Sequence, residues 1–257
     1  MQKYWEKDDY YDKAHEASLH DHEAMRLLFK LAKTRKRVVD LGCGEGTRLE
    51  LVRAKGNFSK AIGVDISPLA IKRASRKHKA IKFIKADLRK LPIQSSFADL
   101  VFSAFVLEHT VDTEEIISEA VRITSKKGDI VFVAPNYGSP NRSSPPFSGS
   151  RIRKFLGGVI KDFASLFYKS QELGWARVEP LIRDYKMDFD VTIEPYLRTL
   201  LEYLRSRECK IVWYSSCWAE ELLGARFHQK VFKFLGKSGV FPFKYWGPHL
   251  LVHAKKI

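Results

Sequence analysis

At residues 38–50 the chain reads VVDLGCGEGTRLE: an apolar run passes directly into three glycines at alternate positions, Gly42, Gly44 and Gly46, and then into a helix-forming stretch. Few folds accept that order. Alternate glycines permit positive φ angles and remove Cβ atoms, so the backbone can turn sharply at the end of a buried strand and touch a ligand lying across the strand ends. Open α/β sheets bind ligands in a crevice at their carboxyl edge. The motif therefore predicts a parallel sheet whose ligand sits on the loop after its first strand.

The surrounding sequence agrees. Between residues 37 and 136 short apolar runs alternate with helical patterns, as in consecutive β-α-β units. Strands are expected at 37–41, 61–65, 81–86, 100–104 and 130–134, with two later ones at 211–215 and 250–254, seven in all. Thr47 with Glu50 reads as a capping box and Gly56 as a stop. Ser67 and Pro68 read as an N-cap and first helical residue. Asp112 and Glu115 repeat the capping box before Ile116, Ile117, Ala120 and Val121, which share a face. Lys126 and Lys127 suit a helix C-terminus, with Gly128 as its stop. YGSPNRSSPP at 137–146 breaks both periodicities, and helices are expected over 151–173, 194–207 and 226–235. No internal repeat interrupts this plan.

With 257 residues and 45% hydrophobic content, the chain can bury one substantial core. It is read as one domain, 1–257: a cofactor-binding half (1–136), an insertion (137–193) and a C-terminal part of the sheet (194–257). No run of eighteen apolar residues occurs, and MQKYWEKDDYYDKAHE lacks the features of a signal peptide, so a cytoplasmic protein is expected, with the inner membrane face as a peripheral site. Cys43, Cys209 and Cys217 lack C-x-x-C spacing, which argues against a disulfide framework and a structural zinc. Lys and Arg number 45 against 30 acids, and the net +15 favours anionic partners: nucleic acid, a phosphate-linked acceptor or an acidic membrane.

A glycine-rich turn alone is weak evidence. AIGVDIS adds Asp65 at the end of the next strand, where a carboxylate can accept both hydroxyls of a ribose. Both features fit a dinucleotide-binding fold as well, so spacing must arbitrate. Dinucleotide sites use G-x-G-x-x-G, whereas here Gly46 is followed by Thr47, and dinucleotide binding becomes the minority reading.

At this point residues 36–136 resemble the class I S-adenosylmethionine-dependent methyltransferases, and within them the type 11 group that includes quinone-biosynthesis enzymes. Four segments carry the likeness in order: VVDLGCGEG, GVDIS, FIKADLRKLP and FADLVFSAFVLEHT. The resemblance implies a Rossmann-like, seven-stranded, mostly parallel sheet with an antiparallel last strand, helices on both faces, and an acceptor-binding segment inserted after strand five. It implies S-adenosyl-L-methionine as cofactor, held by Asp40, Gly42, Cys43, Gly44, Gly46, Asp65, Ile66, Asp87, Leu88 and Ser103, with Asp87 and Leu88 flanking the adenine. Asp40 as a turn former, Asp87 as a cap and Leu88 as core are the competing structural roles.

Methyl transfer from a sulfonium is an in-line displacement, and orientation alone can supply ~7–11 kcal/mol of such a barrier. No metal or covalent nucleophile is required. The acceptor is expected near Ser103, Phe105, His109, Asn136 and Tyr137. His109 titrates near neutrality and is the candidate general base for a hydroxyl, against a purely structural role in its loop. There is no Pro-Cys pair of pyrimidine-C5 methyltransferases, and SAFV (103–106) stands where exocyclic-amine enzymes carry Asn/Asp-Pro-Pro-Tyr/Phe.

The insertion should hold acceptor specificity. APNYGSPNRSSPP with the later DYKMDFDV loosely resembles methyltransferases of surface-glycan assembly, which would turn Asp184, Tyr185, Asp188 and Asp190 toward sugar hydroxyls. RIRKFLGGVIKDFASLFYK mixes cations with apolar residues. Such a stretch suits either an anionic membrane or a lid packed on its own protein, and the Gly157-Gly158 pair favours the lid. The expected activity is methylation of a small-molecule or glycan acceptor at oxygen, lipid-linked or free. An RNA acceptor, quinone-type C-methylation and a degenerate non-catalytic subunit are the alternatives.

Overall fold

The computed structural model describes residues 22–181, 189–220 and 227–257. Helix α1 (Glu23–Ala32) precedes β1 (Arg37–Leu41), and α2 (Thr47–Ala54), β2 (Lys60–Asp65), α3 (Pro68–Lys77), β3 (Lys82–Lys85) and β4 (Ala98–Ala104) follow. The chain continues through α4 (Thr113–Ile123), β5 (Thr124–Pro135), α5 (Arg151–Ala164), β6 (Ala176–Arg177) and β7 (Ile193–Glu194). It ends with α6 (Leu197–Ser206), β8 (Cys209–Ser215), α7 (Phe227–Lys237) and β9 (His249–Lys256).

Seven strands form one sheet in the order β3-β2-β1-β4-β5-β9-β8. The sheet is mostly parallel with antiparallel pairing at its end, the Rossmann-like arrangement anticipated from the sequence. Val39 lies opposite Ile62 on one side and Val101 on the other, and Asp40 opposite Gly63 and Phe102. The strand order reverses between β1 and β4, so the glycine loop leaves the sheet at the switch point, where such sheets bind ligands. Val38, Val39, Val64, Leu100, Val101 and Phe102 are buried, as expected of strands covered on both faces. Residues 176–177 and 193–194 pair as a separate antiparallel ribbon that periodicity did not reveal, because two residues carry no period.

The chain forms two compact units. One comprises the described residues up to Val106, with Asp112–Val131 and Lys255–Ile257; the other comprises Leu107–Val111 and Phe132–Ala254. Among the described residues no helix is long and apolar enough to cross a membrane.

Several helix ends differ from expectation for identifiable reasons. The N-cap of α2 is Gly46, at φ +80°, and Glu50 pairs with Arg53 at 2.6 Å instead of closing a capping box. Asp112 caps α4 by position, but its carboxylate takes Arg89 at 2.7 Å. That helix ends at Ile123: Thr124 is extended, donates its hydroxyl to the Ala120 carbonyl at 2.6 Å, and starts β5 directly. Lys126, Lys127 and Gly128 are therefore strand residues. Ser67 caps α3 as anticipated, accepting the Ala70 N–H at 3.2 Å.

Candidate functional site

Strand β1 ends in a loop whose backbone is pinned to β2. The N–H groups of Gly42 and Cys43 both donate to the Val64 carbonyl, at 2.8 and 3.0 Å. Gly42, Gly44 and Gly46 all adopt positive φ, at 77°, 52° and 80°, which L side chains rarely tolerate. At Gly42 a Cβ would lie 2.3 Å from a Val106 methyl, so only glycine lets the loop approach that wall.

Asp65 ends β2 with its carboxylate fixed by backbone amides: Oδ2 accepts from Gly44 N–H and Oδ1 from Ser67 N–H, both at 2.9 Å. Burial raises its pKa, and the amides of Ser67, Gly44 and Ile66 partly offset that rise. Asp40 is buried and pushed up to about 7, by desolvation first and by Asp65 as well, against the pull of Arg48. Burial and these two carboxylates drive the Cys43 thiol up, so it is an inert packing group.

Two supporting residues were not singled out in the sequence. Arg48 donates to the Ala104 carbonyl at 2.7 Å and lies 5.6 Å from the Phe105 ring centroid. Glu45, within the glycine loop, is buried and paired with Arg73 at 2.7 Å and with Lys77. Arg73 and Lys77 are one turn apart on α3, a spacing that was visible but whose partner was not.

The other residues expected at the cofactor are placed unevenly. Ile66 is 47% exposed immediately after Asp65, an apolar surface on offer, while Leu88 is buried. Asp87 is held by Arg89, whose Nε and second guanidinium nitrogen lie 3.1 and 2.7 Å from Oδ2, and these contacts lower its pKa. Ser103 is buried and donates to the Leu41 carbonyl at 2.9 Å, tying β4 to the end of β1. Phe105 sits at φ +59° with its ring edge-on to His22 at 6.0 Å.

In the second unit, His109 lies in the turn after β4 with Nδ1 3.4 Å from Asp190 Oδ2 and Nε2 3.8 Å from Glu108 Oε1. Thr192 anchors this turn: its N–H donates to the Glu108 carbonyl at 2.9 Å and its hydroxyl to the Thr110 carbonyl at 3.2 Å. Asn136 is fully buried and structurally committed. Its amide nitrogen donates to the carbonyls of Tyr245 and Gly247 at 2.7 and 2.9 Å, and its oxygen accepts the Leu197 N–H at 2.9 Å. Tyr137 borders a cavity of about 620 Å³ that also touches Arg142, Arg151, Phe155, His228 and Phe232. Asp184, Tyr185 and Asp188 lie outside the described residues.

Residues 39–132 match the family model described as a methyltransferase domain. The malonyl-[acyl-carrier protein] O-methyltransferase of Hamiltonella defensa is 28% identical over 194 residues, covering 74% of this chain and 69% of that protein. The ubiquinone biosynthesis O-methyltransferase of Pseudomonas putida is 24% identical over 207 residues, covering 72% and 88%. Among solved structures, an S-adenosylmethionine-dependent methyltransferase from Mesorhizobium loti shares the fold at a TM-score of 0.53 and 20% identity, covering 91% of this chain and 96% of that one. The geranyl diphosphate C-methyltransferase of Streptomyces coelicolor, solved with S-adenosyl-L-homocysteine, shares it at 0.52 and 14%, covering 91% and 76%.

A glycine loop at the switch point, backed by a carboxylate at the end of the neighbouring strand, is thus the cofactor side of a class I S-adenosylmethionine-dependent methyltransferase. More narrowly, residues 39–132 are similar to the type 11 methyltransferase domain, a likeness shared with methyltransferases of quinone biosynthesis.

The residues present suit that cofactor. The Asp65 carboxylate has about four acceptor positions and accepts from the amides of Gly44, Ser67 and Ile66, so capacity remains for a ribose hydroxyl. Asp40 is a buried carboxylate short of compensating positive charge, which an ammonium group supplies. The loop backbone is bare of Cβ atoms at its three positive-φ positions.

Proposed function

We propose that this methyltransferase alkylates an oxygen of a small-molecule or glycan acceptor, lipid-linked or free, with His109 as general base. The observation that supports this most directly is the placement of His109 between two carboxylates, Asp190 Oδ2 3.4 Å from Nδ1 and Glu108 Oε1 3.8 Å from Nε2, which would stabilise the imidazolium formed when the ring takes up a proton. The O-methyltransferases among the relatives support oxygen as the methylated atom.

When bound, S-adenosylmethionine supplies an electrophilic methyl group on a sulfonium. In this reading Asp65 receives the ribose hydroxyls, Ile66 and Leu88 the faces of the adenine, and Asp87 its edge. Asp40 faces the ammonium, while Gly42, Cys43, Gly44 and Gly46 line the backbone cradle and Ser103 steadies its base. Phe105, Tyr137 and Asp190 are assigned to the acceptor, as are Tyr185 and Asp188, which lie outside the described residues; Asn136 holds the ends of β5 and α6. His109 would take the proton that an acceptor hydroxyl gives up as its oxygen is methylated. Alignment and exclusion of water remain the larger share of the catalysis.

The test is turnover with labelled S-adenosylmethionine against glycan, lipid-linked and small-molecule fractions, with the product identified by NMR. His109→Ala should lower kcat by ~10²–10⁴ while cofactor affinity holds. A loss of only a few fold would reduce His109 to a positioning role. A C–CH3 product would favour the second reading, quinone-type carbon methylation, which draws support from a Campylobacter jejuni C-methyltransferase 24% identical over 150 residues.

A further inference from the structure

Helix α5 is built inside out. Its one fully buried residue is Asp162, which accepts from Tyr196 OH at 2.7 Å, Arg198 Nε at 2.7 Å and Trp246 Nε1 at 2.8 Å. One side of the helix is thus anchored through a polar network, with Lys154 bonded to Glu194 at 2.5 Å and to the Tyr137 carbonyl at 2.8 Å. The apolar residues go elsewhere. Ile152, Leu156, Ile160 and Phe163 recur at the spacing of one helical face, and Phe167 continues it in the following turn. They are 73%, 56%, 68%, 49% and 82% exposed. The glycine pair does not break the helix, because Gly158 packs where a Cβ would meet Pro140 at 2.7 Å.

A second helix repeats the pattern beside it. Phe155 of α5 stacks on Phe232 of α7, with ring centroids 6.3 Å apart, and on the side of α7 away from Phe232 stand Phe227, Val231 and Phe234, exposed by 82%, 38% and 70%. Isolated exposed apolar residues are ordinary; five in a row along one helical face, of which Ile152 and Leu156 line the cavity shared with Phe232, are a surface awaiting an apolar phase.

The charges decide which phase. Residues 151–169 contain one acid, Asp162, which is buried, and α7 contains none. The exposed charges of these two helices and of the turn after the first are Arg151, Arg153, Lys161, Lys169, Lys230 and Lys237, all cationic. A second copy of the chain docking about a two-fold axis would bring these cations against their own kind, which is unfavourable. An anionic bilayer instead accepts the apolar stripe in its acyl boundary and the cations at its headgroups. We infer that the exposed apolar face of α5, continued by Phe167, docks this protein on anionic lipid membranes as an interfacial, non-spanning surface. This goes beyond the assignment of the acceptor and holds whether the methylated atom is oxygen or carbon.

Flotation of the full chain with vesicles tests it without any turnover. The protein should rise with vesicles of phosphatidylcholine and phosphatidylglycerol, stay behind with phosphatidylcholine alone, and release as salt increases. Replacing Ile160→Ser and Phe167→Ser together, both surface positions remote from the glycine loop in sequence, should lower partitioning at least about tenfold while thermal stability is kept. Failure to float with anionic vesicles, or equal flotation of the double variant, would overturn the inference. A concentration-dependent dimer abolished by the same substitutions, without vesicle binding, would assign the face to a second copy instead.

Discussion

Asp65 Oδ2 accepts the Gly44 N–H at 2.9 Å, so the carboxylate that ends β2 also fixes the glycine loop that follows β1. One side chain therefore shapes the cradle and offers itself to the ligand. Asp65→Ala should weaken S-adenosylmethionine binding by about 2–4 kcal/mol, from the loss of charge-assisted bonds and of loop order. Asp87→Ala, at a residue already satisfied by Arg89, should cost less. Isothermal calorimetry on both variants checks the ranking, and parental affinity in Asp65→Ala would refute the placement of the ribose.

The raised pKa of Asp40 gives a signed pH dependence. Its folded value is about 7 against 3.8 as the ordinary one, so between about pH 4 and 7 the folded chain retains a proton that the unfolded chain has released. The associated stability is present below that window and lost as pH rises through it. Asp40→Asn has no such proton to lose. Its melting temperature should therefore gain on that of the parent from pH 5 to 8, and a constant gap would contradict the burial of an ionisable Asp40. Because a cationic ligand favours the ionised form, parental cofactor affinity should also rise toward pH 7.

Gly42 combines φ +77° with a Val106 methyl 2.3 Å from where a Cβ would lie. Gly42→Ala should destabilise the fold by about 1–3 kcal/mol through backbone strain and overpacking. Adding Val106→Ala relieves the clash and leaves the strain, so the double variant should recover part of the loss. Full recovery in denaturant melts would mean that the left-handed conformation costs nothing here.

Asp162 is the hub of the second unit, with donors from Tyr196, Arg198 and Trp246 converging on it. Asp162→Ala would leave a mostly buried guanidinium without that partner and should cost about 3–5 kcal/mol. Asp162→Asn keeps one acceptor oxygen and should cost less. A thermal melt of Asp162→Ala indistinguishable from that of the parent would show that the network adds nothing to stability.

The strands from β1 to β5, the alternate-glycine turn, the Ser67 cap and the position of Asp65 at a strand end were all legible in the sequence, because each is a local matter of period, φ preference or capping. What the side chains at those places do with their polar atoms was not. Asn136 was expected at the acceptor, yet its carboxamide bridges Tyr245, Gly247 and Leu197, partners more than sixty residues away. The cations in the stretch from Arg151 to Lys169 were countable, but only packing showed that Asp162 turns inward and Ile160 outward. Glu45 stood in plain view inside the glycine motif, and its ion pairs depended on where α3 came to lie. Backbone conformation is selected by neighbours in the chain, whereas a buried polar group is satisfied by whatever the tertiary fold brings within about 3 Å, and linear spacing does not encode that distance.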